Sequence, residues 1–233
     1  TDALGTVTFH GHGGSSVMGQ WDDMTPNAYE EVWDTTASAD VRIDGRSGDN
    51  LFTYDSPSFS GVQFKMAHQV DHFTTSGQSY DLGQYTDFGI LISPEMVEGL
   101  TIGYGMAELD DTTSTSIDQE TMFIKYAIGG LTVAYQTHEA DGSTADKNDE
   151  SESFGVSYAI NENMTIAYGQ RDYNDDTSSD STTVEQNDSG ISASYTMGGM
   201  TIAGHMNQND NVGGSSATTA DKESYEFALT FAF

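Results

Sequence analysis

The chain has 233 residues and a formal charge of −30, from 37 Asp and Glu against 7 Lys and Arg. That balance excludes nucleic-acid binding, which needs Lys and Arg to displace the counterions of a polyphosphate. The sequence contains no cysteine, which removes disulfides, thiol catalysis and thiolate metal centres.

No apolar run approaches the ~20 residues of a membrane helix, and no basic-then-apolar leader opens the chain. Thr1 is therefore expected to follow processing or to lie downstream of the true N-terminus. The mean hydropathy of −0.47 does not argue against a membrane, because a barrel strand dilutes each lipid-facing residue with a lumen-facing one.

A period of two runs through most of the chain and predicts about twelve strands, near 4–12, 50–57, 61–71, 84–93, 100–109, 118–127, 131–140, 151–159, 164–173, 188–197, 200–208 and 222–233. In the first, His10 and His12 share a face, against Val7 and Phe9 on the other. Two imidazoles at that spacing suit a metal, but the sequence offers no third ligand, so they read as polar lumen residues.

Residues 13–49 interrupt the pattern. Within them Thr25-Pro26-Asn27-Ala28-Tyr29-Glu30-Glu31-Val32-Trp33 predicts a short helix, with Thr25 as N-cap, Pro26 at the first helical position and carboxylates near the start. Met18, Trp21, Met24, Tyr29 and Trp33 make a fully solvated excursion improbable. The segment is expected to pack against something, and a barrel interior is available.

From the fifth strand onward the apolar faces are plain: Leu100, Ile102, Tyr104 and Met106; Met122, Ile124 and Tyr126; Leu131, Val133 and Tyr135; Phe154, Val156 and Tyr158; Met164, Ile166 and Tyr168; Ile191, Ala193 and Tyr195. The opposite faces carry small and polar residues. Strand parity places Lys65, Lys125, Arg171, His138 and His205 on that polar side. On a lipid face near the midplane Lys or Arg would cost about 2–4 kcal/mol.

Short turns around 56–61, 93–95, 128–130, 161–163 and 197–199 alternate with long polar loops at 72–83, 110–117, 141–150, 174–187 and 208–221. That alternation predicts an all-β, transmembrane, antiparallel up-and-down β-barrel formed as a single domain over 1–233; Greek-key sandwiches mix their connection lengths. The closing strand, with Tyr225, Phe227, Leu229, Phe231 and Phe233 on one face, then faces lipid.

The acidic loops around Asp110–Asp111, Asp141–Asp149 and Asp175–Asp188 offer oxygen ligands for loosely held Ca²⁺, without EF-hand or repeat spacing. No other cofactor or metal is expected. Gly-x-Ser-x-Gly and His-Glu-x-x-His are both absent, and the expectation is that the protein is not an enzyme.

The run from Val41 to Gly61, with Arg42, Arg46 and Asp49-Asn50 ahead of a strand ending Tyr54-Asp55-Ser56-Pro57-Ser58-Phe59-Ser60-Gly61, resembles the Gram-negative general diffusion porins. The likeness is greatest to the trimeric alphaproteobacterial porins, and the terminal aromatic strand matches as well. The resemblance implies a passive outer-membrane channel for small hydrophilic solutes and ions, a homotrimer in contact with outer-membrane lipid and lipopolysaccharide. It also implies that 13–49 is a constriction loop folded into the lumen. The acidic side of the constriction would come from Asp22, Asp23, Glu30, Glu31, Asp34 and Asp40, and the basic side from Arg42, Arg46, Lys65, Lys125 and Arg171. The acidic excess then implies a preference for cations.

Family barrels have sixteen strands, and their inward loop follows the fifth. By subtraction the first four strands are expected to be missing here, with a native twelve-stranded barrel as the alternative. A non-channel barrel acting as an adhesin or surface receptor through its acidic loops, and a soluble acidic sandwich, are the competing functional readings.

Overall fold

The computed structural model describes residues 3–33, 45–48, 50–70, 84–110, 116–142, 148–175 and 184–232. Its strands in chain order are β1 (Thr6–His10), β2 (Gly14–Ser15), β3 (Ser47–Gly48), β4 (Leu51–Asp55), β5 (Val62–Gln69), β6 (Tyr85–Ile92), β7 (Leu100–Asp110), β8 (Ser116–Ile128), β9 (Leu131–Gly142), β10 (Asn148–Asn161), β11 (Met164–Asp175), β12 (Gln186–Met197), β13 (Met200–Asp210) and β14 (Lys222–Phe231). One helix, α1 (Val17–Gln20), follows β2.

Twelve strands form one sheet in the order β1-β4-β5-β6-β7-β8-β9-β10-β11-β12-β13-β14. Each strand therefore pairs with its sheet neighbours along the chain, which is the up-and-down order expected from the spacing of turns. β2 and β3 form a separate small ladder. Three turns among the described residues are only two residues long: Gly129-Gly130, Glu162-Asn163 and Gly198-Gly199; the two glycine pairs each open on a positive φ (58° and 62°). That is the backbone a tight hairpin needs, and glycine adopts it without penalty.

Alternation along the strands separates two faces. Ile191 is 56 % exposed, and Tyr225, Phe227, Leu229 and Phe231 are exposed as well. Intervening residues such as Ala67, Asp87, Ala107, Ala167 and Ala203 are buried. Large apolar residues crowd the open face, while the covered one is mostly small or polar, with Leu51, Tyr85, Phe123 and Tyr173 as large buried exceptions; the open face reverses the pattern of a water-soluble sheet.

The chain divides into two compact units. The first comprises Thr1–Asp23, Arg42–Phe123 and His138–Asp149; the second comprises Met24–Val41, Ile124–Thr137 and Glu150–Phe233. In the first, α1 lies on β5, β6 and β7. Its bed is made by glycines: a Cβ on Gly89 would stand 2.4 Å from the Trp21 ring, and one on Gly105 2.9 Å from Met18 Sδ. Gly89 and Gly105 are directly opposed across β6 and β7, so together they clear one depression in the sheet. Met18, Tyr85 and Ala107 fill the core there, and Trp21 meets Phe123 edge-on at 5.5 Å.

Two sequence expectations are corrected. The helix lies at Val17–Gln20, not at 25–33, where the backbone forms bends and a turn. The reason is where the backbone hydrogen bonds go. Met24 N–H donates to Gln136 Oε1 (2.8 Å) and Ala28 N–H to Ser192 Oγ (3.0 Å). The carbonyls of Glu31 and Val32 accept from the amides of Asn207 and Asn209. With sheet side chains satisfying its polar backbone, this stretch gains little from helical i→i−4 bonds. The second correction concerns β1, which ends at His10, so exposed His12 lies beyond the strand and shares no strand face with it. His10 Nε2 is instead 3.0 Å from Thr53 Oγ1.

Candidate functional site

In the first unit Ser16 organises the segment that carries Asp22 and Asp23. Its side chain accepts from Gly19 N–H (3.3 Å) as an N-cap and from Arg46 N–H (3.0 Å), and its hydroxyl donates to Tyr85 Oη (3.4 Å). The Ser16 N–H donates in turn to the Arg46 carbonyl (2.7 Å). Met18 N–H donates to Asp87 Oδ2 (2.9 Å), so a strand carboxylate meets a helix-start amide that has no helical partner. Gly45, at φ 60°, passes so close that a Cβ would lie 2.2 Å from Gly19 N. The start and the end of the long segment are thus pinned together over Tyr85.

The guanidinium of Arg46 sits 5.9 Å from the Tyr85 ring centre, and burial pulls its pKa below the usual arginine value, against an opposing pull from Tyr85. Asp22 is half-buried; its carboxylate accepts from Asp23 N–H (3.0 Å) and its carbonyl lies 3.0 Å from His138 Nε2. Asp23 is exposed. Lys65 faces Asp55 directly across β4 and β5 and forms an ion pair with it.

In the second unit residues 24–33 are bonded to β9, β12 and β13 as described above. Glycine again makes room: a Cβ on Gly155 would be 2.9 Å from Pro26, and one on Gly169 2.9 Å from Val32. Glu31 Oε1 accepts from Asn27 Nδ2 (2.5 Å). Glu30 Oε2 is 3.8 Å from His205 Nδ1. Tyr29 stacks on the His205 ring at 5.7 Å and donates its hydroxyl to Glu226 Oε1 (2.5 Å). That bond to an anion, with burial and the charge of Glu30, pushes the Tyr29 pKa up to about 12.

Trp33 is held by Arg171, whose guanidinium lies 4.8 Å from its ring. Arg171 is buried and ion-paired to Asp188, with Nη2 at 2.7 Å and Nε at 2.9 Å from Oδ2. Asp188 also accepts from Gln186 Nε2 and from Asn209 Nδ2 (2.7 Å).

Two faces of opposite character and a long segment bound onto the polar one are the parts of a transmembrane channel. The sequence from residue 2 to residue 186 matches the family model of the Gram-negative porins. The chain belongs to the Gram-negative porins. This porin resides in the outer membrane and forms a channel there. A comparison with curated proteins gave no match. Among solved structures the porin is similar to OmpF of Salmonella typhi in complex with daunomycin, with a TM-score of 0.66 at 11 % identity over 98 % of this chain and 74 % of that one. OmpT from the outer membrane of Vibrio cholerae gives 0.61 at 8 %, covering 89 % and 67 %. A variant of the Rhodobacter blastica porin gives 0.53 at 16 %, covering 86 % and 71 %. At these identities the likeness is one of fold.

Of the residues singled out from the porin sequence, Asp22, Asp23, Arg46 and Lys65 lie in the first unit, and Glu30, Glu31, Lys125 and Arg171 in the second. Lys125 is half-buried, between exposed Ile124 and Tyr126. Arg171 differs from the others: it is enclosed at 3 % exposure and anchors Trp33. Asp34, Asp40 and Arg42 lie outside the described residues, as do most of the acidic-loop residues considered for Ca²⁺. Sequence reasoning did not single out Ser16, Tyr29, Asp87, Asp188, Asn207, Asn209 or Glu226 for this site. The pairing of Glu226 with Tyr225 and Phe227 on either side marked only its strand face.

Proposed function

We propose that this porin is a passive diffusion channel for small hydrophilic solutes and ions, that it prefers cations, and that residues 13–49 form its constriction. The observation that carries the reading is the anchoring of 14–33: residues 14–23 lie on the polar face of the first unit and residues 24–33 on that of the second, through bonds that sheet side chains supply. A segment held so completely does not act as a loose surface loop. It presents Asp22, Asp23, Glu30 and Glu31 on the lumen side, joined in sequence by Asp34 and Asp40.

Arg42, Arg46, Lys65 and Lys125 supply the opposing basic side. Lys65 is already partnered by Asp55 and Arg171 is enclosed with Asp188, so the acidic groups dominate the field that solutes meet. The channel does no covalent chemistry and needs no cofactor. Loosely held Ca²⁺ in the acidic loops, contact with lipopolysaccharide and assembly as a homotrimer complete the proposal; cross-linking of the folded protein in detergent tests the last. The ion preference is tested by reversal potentials in planar bilayers under a KCl gradient. A potential of the sign for K⁺ flow is expected, shrinking as salt shortens the Debye length below about 8 Å. A potential of the opposite sign overturns it.

A further inference from the structure

Three donors from distant parts of the chain converge in the second unit: Glu30 in the long segment, His205 in β13 and Glu226 in β14. His205 and Glu226 are directly opposed partners in the β13–β14 ladder. One donor atom from each of the three residues lies within 4.8 Å of the others. The imidazole is what sets this cluster apart from an ordinary group of acids. Its side chain is 0 % exposed, and neither Nδ1 nor Nε2 has a hydrogen-bond partner. Glu30 Oε2, at 3.8 Å from Nδ1, is too far to serve as one. Buried polar groups left unpaired in this way are rare and costly.

We propose that Glu30, His205 and Glu226 bind one divalent transition cation of the Zn²⁺ class. Two carboxylates balance the dication, and the imidazole supplies a nitrogen donor. A mixed nitrogen and oxygen set suits Zn²⁺, Co²⁺ or Ni²⁺, whereas Ca²⁺ and Mg²⁺ take all-oxygen shells. Tetrahedral ligands at about 2.0–2.2 Å from Zn²⁺ stand about 3.3–3.6 Å apart, so donors now within 4.8 Å of one another must close by about an ångström. The Glu30 side chain is 36 % exposed and has room to close that distance onto His205 and Glu226.

The surroundings already support such a site. Tyr29 donates to Glu226 Oε1 and stacks on the His205 ring, fixing the orientation of two of the three ligands, as the groups behind metal ligands do. A bound cation would tie the segment carrying Glu30 to β13 and β14 and cancel two lumen charges. That effect on conduction rests on the diffusion-channel reading; the binding does not.

The test is calorimetric titration of ZnCl₂ into the folded, metal-stripped protein in detergent, with excess Ca²⁺ present to occupy the acidic loops. One Zn²⁺ per chain is expected. His205→Gln and Glu226→Gln should each weaken binding by more than about a hundredfold, and Tyr29→Phe by about tenfold. X-ray absorption of the zinc-loaded wild-type protein should show imidazole scattering, a readout that requires no variant to fold. Saturation that Ca²⁺ abolishes, affinity unchanged in the variants, or a shell of oxygen alone would overturn the proposal. Solute flux in liposomes on the same preparation separates the two readings: flux without this binding removes only the metal site, and binding without flux removes only the channel.

Discussion

Replacing Arg171 with Met tests how firmly the second unit holds the long segment. Arg171 and Asp188 have side chains 3 % and 0 % exposed, joined by Nη2 and Nε at 2.7 and 2.9 Å from one carboxylate oxygen. Met keeps most of the side-chain volume but leaves the Asp188 charge buried, with only the neutral amides of Gln186 and Asn209 as donors. Removing one partner of a buried pair costs about 3–5 kcal/mol, and loss of the contact with Trp33 adds to it. Asp188→Asn should cost a similar amount, because it removes the buried counter-charge of the guanidinium. The double variant leaves no buried charge, so it should cost about 3 kcal/mol less than the sum of the two single changes. Denaturant unfolding in detergent micelles, followed by tryptophan fluorescence, measures all three. Costs that add within about 0.5 kcal/mol would refute the buried pair.

Two further predictions concern the sheet. Gly89→Val should leave strand content by far-ultraviolet circular dichroism intact but abolish the near-ultraviolet signal of Trp21, since a Cβ would stand 2.4 Å from that ring; an unchanged signal would mean that the segment does not rest on β6. Ile191→Arg, on the open face of β12, should cost about 2–4 kcal/mol in folding into liposomes. A cost below about 1 kcal/mol would contradict lipid contact at that position.

The strands were legible because a period of two survives any tertiary context in which one face meets lipid: Tyr225, Phe227 and Leu229 declare their face without knowledge of their neighbours. The segment was not legible in the same way. Thr25-Pro26 carries a helix-start signal that the local sequence supports, yet Gln136, Ser192, Asn207 and Asn209 take up the backbone groups a helix would have used. The four-residue helix that does form is too short for periodicity. Its determinants, Gly89, Gly105 and Asp87, lie on strands far along the chain. The same distance hides the Glu30, His205 and Glu226 cluster: parity placed His205 on the polar face, but only pairing of β13 with β14 sets it opposite Glu226. Arg171 shows the limit of parity, which gave its face correctly and could not tell a lumen charge from an enclosed anchor.

Conduction itself is tested most directly by the swelling of liposomes that contain the folded protein, in isotonic solutions of sugars of graded size. The account predicts rapid swelling with the smallest solutes, falling steeply as solute size approaches the constriction, and faster swelling throughout when Trp33 is released by Arg171→Met. Liposomes that carry folded protein yet swell no faster than protein-free ones would contradict it, and would favour a barrel that acts through its acidic loops as an adhesin or receptor.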